Sequence, residues 1–152
     1  NFDLNLEFTA LNEFLIIISK YNQENLILCS HNGKEFDFPY ITRRLLINQI
    51  SLPNSLKLSG KKPWEINHID TLEMWKFGDR KSYTSLDLLC AVLNIESSKS
   101  NMNGSEVNQE YYIGNNLEGI SHYCSEDVLN VIQIYLVLND LPVIDKNFIF
   151  YL

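Results

Sequence analysis

Two short constellations hold the side chains most able to do chemistry: Asn32-x-x-x-Phe36-Asp37 early in the chain and Tyr123-x-x-x-Asp127 near its end. The first follows the apolar run Leu26-Ile27-Leu28-Cys29, which reads as a buried strand, and leads into Phe38-Pro39, where the proline suits the first turn of a helix. Asp37 thus stands where a strand stops and a helix starts. Open α/β sheets bind their ligands at such places, and a carboxylate beside helix-terminal N–H groups can face a metal or a polar substrate. Its other reading is a plain helix cap. In the second constellation a phenol and a carboxylate four residues apart share one side of a helix, at the margin of its apolar face. Burying an unpaired carboxylate is expensive, so Asp127 needs a metal, a basic partner or a capping role.

The elements that must position these groups follow from apolar spacing. Leu4, Phe8, Leu11, Leu15 and Ile18 predict an opening helix over residues 4–20, and residues 26–30 a strand. Phe38, Ile41 and Leu45 predict a second helix, with Arg43 and Arg44 on its polar side and a break at Pro53. Residues 54–65 are irregular and basic. Trp64, next to Lys61 and Lys62, reads either as a surface on which a base stacks or as the anchor of the loop to the core, the commoner role. Residues 66–69 predict a short strand closed by Asp70, read as a helix cap, and residues 72–77 a helical turn. Thr84 reads as the N-cap of the next helix, with Asp87 in the capping-box position. Residues 96–105 form a candidate flexible loop, and residues 106–112 a short helix. The last long helix spans residues 117–138, with Leu117, Ile120, Cys124, Val128, Val131, Tyr135 and Leu138 as its expected buried stripe. Residues 148–152 form an apolar tail that reads as a further strand.

A chain of 152 residues suffices for one core, and 45% hydrophobic with 20% charged residues is the balance of a soluble globule. No apolar run is long enough to span a bilayer and no basic leader opens the sequence, so no membrane partner is expected and the cytoplasm is the default compartment. Cys29, Cys90 and Cys124 are far apart in apolar stretches, which predicts buried reduced thiols over a disulfide or zinc site. A net charge of −7 excludes a nonspecific nucleic-acid coat. Yet nine of the twelve basic residues lie between Lys34 and Lys81, Arg80 among them, against six acids. Such a basic middle forms either a solvated face or a local phosphate track.

Taken in order, His31-Asn32-Gly33-Lys34-Glu35-Phe36-Asp37-Phe38-Pro39, Ser59-Gly60-Lys61-Lys62-Pro63-Trp64-Glu65, His68-Ile69-Asp70-Thr71 with Trp75-Lys76-Phe77-Gly78, and Tyr123 to Asp127 resemble the DEDD (DnaQ-like) 3′-5′ exonucleases of the tyrosine subgroup. The likeness is to the predicted 3′-5′ exonucleases related to the proofreading domain of family B DNA polymerases. It implies a ribonuclease H-like α/β fold over residues 1–144 with residues 145–152 as a tail. It also implies Mg²⁺ or Mn²⁺ in a two-metal site acting on single-stranded DNA ends. By that resemblance Asp37 and Asp127 are metal ligands and Tyr123 orients the attacking water. Asn32 and Phe36 shape their motif, and Asn32, Lys34, Arg43, Lys61 and Lys62 face nucleic acid. The family's Asp-x-Glu motif belongs upstream of the opening helix, and Asp3 and Glu7 have neither its spacing nor a strand beneath them. The expectation is a copy lacking its first strands, with little nuclease activity of its own and a sheet edge open to homodimerisation. A non-catalytic exonuclease-like module that binds nucleic acid or a protein is the alternative.

Overall fold

A computed structural model describes residues 4–21, 25–79, 83–96, 102 and 104–150. Arg80 and Lys81, most of the loop expected over residues 96–105, Asp3 and the last two residues of the tail lie outside this range. The chain divides into two units, Asn1–Asp70 and Thr71–Leu152.

In the first unit, α1 (Leu4–Ser19) turns Leu11 and Ile18 inward, with Phe14 and Leu15 packed beside Leu11, while Phe8 of the expected stripe is largely exposed. α2 (Asp37–Ile47) contributes Leu45, and the 3₁₀ turn Asn54–Leu56 contributes Leu56; these two and Leu11 make the buried cluster. Glu7 on α1 accepts two hydrogen bonds from the Arg44 guanidinium on α2. Its carboxylate is therefore already neutralised, in keeping with its exclusion from any metal motif.

The first unit also holds a two-stranded parallel sheet, β1 (Cys29–Ser30) and β2 (Ile69–Asp70), in the register Cys29↔Ile69 and Ser30↔Asp70. Parallel pairing demands a crossover, which α2 and the turns after it supply. Both strands are shorter than expected, for an identifiable reason. Ile69 N–H donates to Leu28 O, but Leu28 N–H donates to Nδ1 of the His68 ring, so a side chain takes over where the ladder would continue. Ile27 and Cys29 are exposed, and the run read as a buried strand is covered on one face only.

His68 is itself buried, edge-on to Phe38 at 4.7 Å between ring centroids, with Nε2 2.8 Å from Ser55 O. Accepting at Nδ1 and donating at Nε2 requires the neutral ring. Burial, with the charges of Lys34 and Lys61, lowers its pKa below 6.5 against the opposing pull of the Ser55 carbonyl. The unfolded chain then binds the proton first as pH falls. Native stability from this group is full above the unfolded value of about 6.5 and declines by up to about 1.4 kcal/mol per pH unit down to the lower native value. Denaturation midpoints at pH 7.5 and 5.5 should show this drop in the wild-type chain and a smaller one in His68→Asn, whose side chain can accept from Leu28 without titrating. Equal drops in the two would refute the assignment.

In the second unit, α3 (Thr71–Lys76), α4 (Leu86–Val92) and α6 (Leu117–Leu138) pack together, with α5 (Val107–Gln109) continued by a π-helical turn, Glu110–Gly114. Leu89, Cys90 and Ile134 form the buried cluster, so the single core expected from chain length is two clusters. α4 is capped by Ser85, whose Oγ accepts from Leu88 N–H, one residue later than the expected Thr84; Asp87 falls in the first turn and not in a capping box. α6 has the predicted bounds, capped by Asn116 through Gly119 N–H. Its inward face is rotated from the predicted stripe: Glu126, Asn130, Gln133 and Ile134 are buried, whereas Leu117, Cys124 and Val128 are exposed. The reason is local hydrogen bonding. Gln133 donates to Ile144 O at 2.7 Å and accepts from Ile144 N–H at 2.9 Å, stapling the chain after α6 back onto the helix. The tail takes a 3₁₀ turn at Lys146–Phe148, and Ile149 and Phe150, the described remainder of the strand expected over residues 148–152, are not in a strand. All three cysteines are free, but only Cys90 is buried; the burial expected of Cys29 and Cys124 does not hold because each sits on an uncovered face. No helix among the described residues is long and apolar enough to cross a membrane. This mixed architecture with a small parallel sheet is compatible with an exonuclease-like domain.

Candidate active site

In the first unit the chemistry gathers where β1 gives way to α2. Asn32 takes a left-handed backbone (φ 62°), and the turn closes through Phe36 N–H to Asn32 O and Phe38 N–H to Gly33 O. Asp70, only 3% exposed, fixes this loop from the end of β2: its Oδ1 accepts from Asn32 N–H at 2.8 Å and its Oδ2 from Lys34 N–H at 3.1 Å. Asp70, expected as a helix cap and placed directly before α3, binds the loop that carries Asn32 and Lys34. Gly33 is needed for the closure, since a Cβ there would lie 1.9 Å from Ser30 Oγ and 3.1 Å from Asp37 Oδ2.

Asp37 is the first residue of α2. The N-cap is Phe36, which makes no side-chain cap bond, so the capping role open to Asp37 in the sequence is not the one it fills. Its carboxyl is pushed above the ordinary value of 3.8 by burial and by the charge of Asp70, against the pull of its own backbone N–H. Phe36 and Tyr40 stack beside it with centroids 6.2 Å apart, both rings exposed. Lys34 and Lys61 both act on His68, which brings the basic loop near this motif; Arg43 and Lys62 are exposed.

In the second unit the Tyr123 hydroxyl donates to the Asp127 carboxylate one turn on. Burial first, then the Asp127 charge, pushes this phenol up to about 12, so it stays a neutral donor whose oxygen can still accept from a water. Asp127 lies in the middle of α6, where no cap is possible, and burial and the charge of Asp87 raise its pKa although the Tyr123 bond lowers it. Cys90 is pushed up to about 11 by burial and by the charges of Asp87 and Asp127. Asp87 is thus a member of this cluster that sequence reading assigned to a capping box, and no local signal ties α4 to a residue this far along the chain.

A hard divalent cation takes oxygen donors, and the donors here are of that kind. Asp37 and Asp127 each carry desolvation that their partners leave uncompensated, which a cation would relieve. Each unit supplies two carboxylates, Asp37 with Asp70 and Asp87 with Asp127. Among the described residues no three metal-binding side chains gather. Within each pair the donors are carboxylate oxygens, the kind that Mg²⁺ or Mn²⁺ takes.

Searches of curated proteins and of solved structures return no match. A family model described as a predicted 3′-5′ exonuclease related to the exonuclease domain of PolB matches residues 4–142, which include the Asp37 loop, Asp70, and the Tyr123–Asp127 turn of α6. The chain belongs to this family of predicted 3′-5′ exonucleases related to the exonuclease domain of PolB.

Proposed function

We propose that this protein is a metal-dependent 3′-5′ exonuclease domain of ribonuclease H-like fold, hydrolysing phosphodiester bonds at the 3′ ends of single-stranded DNA. One observation carries the reading. The two acids that the resemblance makes metal ligands, Asp37 and Asp127, are not the N-caps of their helices, and both have carboxyls held above their ordinary pKa, ready for a cation. Bound Mg²⁺ or Mn²⁺ would activate water and stabilise the leaving oxygen. Asp37 in the first unit and Asp127 in the second would each offer carboxylate oxygens to a cation, and Tyr123, its proton committed to Asp127, would accept from and orient a water. Lys34, Arg43, Lys61 and Lys62, with Asn32, lie toward the nucleic acid, and the edge of the two-stranded sheet is a surface for pairing with a second copy.

The test uses the full-length gene product on 5′-labelled single-stranded DNA, with Mn²⁺ and with EDTA. Stepwise 3′ shortening that requires the metal is the expected outcome. No shortening with Mn²⁺ or Mg²⁺ would overturn the reading in favour of a non-catalytic binding module. That alternative draws on the lack of a third metal-capable side chain beside either carboxylate pair among the described residues.

A further inference from the structure

Residues 57–65 form a basic loop on the first unit that is hydrogen-bonded at both ends. At its start, Leu56 is completely buried in the first cluster and Ser55 O is bound to the His68 ring. The chain reverses at Gly60, whose φ of +78° favours glycine, and Lys61 N–H closes on Leu58 O at 3.1 Å. At its end, the 3₁₀ turn Pro63–Glu65 is bonded from both sides: Glu65 N–H donates to Lys62 O at 2.9 Å, and Lys62 N–H donates to Glu65 Oε2 at 2.8 Å.

On this hydrogen-bonded turn Trp64 is 70% exposed, with Lys62 Nζ 5.2 Å from its ring centroid. The anchor reading of Trp64 therefore fails, because an anchoring indole is buried. A tryptophan is among the largest apolar groups a chain can bury, and one presented to solvent on an ordered turn is placed to meet a ligand with a flat face. Charge selects the ligand. Lys61 and Lys62 are exposed, and the nearest acid on the loop, Glu65, has its oxygen bound to the loop's own backbone. The Lys61 charge and that of Lys34 in the Asp37 loop both reach His68, so the platform and the candidate site share one neighbourhood within the unit.

We propose that Trp64 is a base-stacking platform for single-stranded nucleic acid, whose phosphate backbone passes over Lys61 and Lys62. The proposal rests on the exonuclease reading only for the class of ligand. Stacking is tolerant of sequence because every base has a π-face, which suits a surface holding a strand of arbitrary composition.

The experiment is fluorescence anisotropy of a 5′-fluorescein oligothymidylate with the intact protein in EDTA, so that binding is read without turnover. Trp64→Ala should weaken binding about 5- to 150-fold with an unchanged salt slope, and Trp64→Phe should retain most of the affinity. Lys61→Ala and Lys62→Ala should each reduce the slope of log affinity against log salt by about 0.7. Replacing the bases of the oligonucleotide by abasic sites should abolish the difference between the wild-type chain and Trp64→Ala. Wild-type affinity in Trp64→Ala, as expected of a tryptophan that docks a protein, would overturn the proposal, and so would absence of oligonucleotide binding by the wild-type chain. Trp64-dependent binding without any 3′ trimming would sink the exonuclease reading alone, and trimming without Trp64 dependence would sink the platform alone.

Discussion

Gly33→Ala should destabilise the first unit by about 3 kcal/mol or more, at or beyond the upper end of what one inserted methyl group ordinarily costs a packed site. The new Cβ would stand 1.9 Å from Ser30 Oγ and 2.4 Å from Ser30 Cβ. Rotating the hydroxyl away leaves the second clash, so the backbone must move. Any such movement pulls Asn32 and Lys34 from the Asp70 carboxylate, leaving a buried acid without the two N–H donors that hold the loop. Ser30→Gly removes both clashing atoms, and combined with Gly33→Ala it should recover a large part of the lost stability; Ser30→Ala, which keeps the Cβ, should not. Denaturation midpoints measure the cycle, and the Asn32 and Lys34 amide resonances report whether the loop has moved. A Gly33→Ala chain within about 0.5 kcal/mol of wild type, the range of an ordinary surface change, would show that this loop does not need its glycine.

The cycle joins residues that sequence reading could place only in part. Asp37 was legible at the junction of strand and helix because Pro39 marks a first helical turn and Leu26-Ile27-Leu28 marks what precedes it. α6 was legible to its bounds because apolar residues recur along it and Asn116 starts it. What escaped was polar burial. Apolar spacing pointed to Cys124 and Val128, but α6 turns Glu126, Asn130 and Gln133 inward, and Gln133 can be buried because Ile144 satisfies both ends of its amide. Asp70 shows the same effect at longer range: its partners lie 36 and 38 residues upstream, and parallel pairing brings them together with no trace in local pattern. Asp87 reached Asp127 through packing of α4 on α6, again invisible to spacing. Charge and propensity locate a single acid well, whereas the second acid beside it is set by tertiary structure.

Asp127→Asn should separate the functional from the architectural reading of these acids, because the two give opposite signs. A structural aspartate whose carboxylate is held by a basic partner or charged hydrogen bond costs the fold about 1.5–3 kcal/mol when it loses that charge. Asp127 is not at a cap, and its raised pKa means that the native state favours the neutral carboxyl, so its charge at neutral pH opposes folding. Asparagine keeps an oxygen to accept from the Tyr123 hydroxyl and removes that charge. The variant is therefore expected to unfold at the same or a higher denaturant concentration than wild type at pH 7.5. The difference should shrink as pH falls through the raised native value toward 3.8, where the wild-type carboxyl becomes neutral as well. Nuclease activity should move the other way and fall by about 10³-fold or more, since an amide is a poor ligand for a hard cation whose stabilisation of the transition state amounts to several kcal/mol. The same preparation supplies both measurements, metal-dependent trimming of 5′-labelled DNA and the urea midpoint. Lower stability with undiminished trimming would make Asp127 a structural acid and remove it from the catalytic set. Equal or higher stability with trimming lost would mean that the fold tolerates an unfavourable charge on α6 because the reaction requires it.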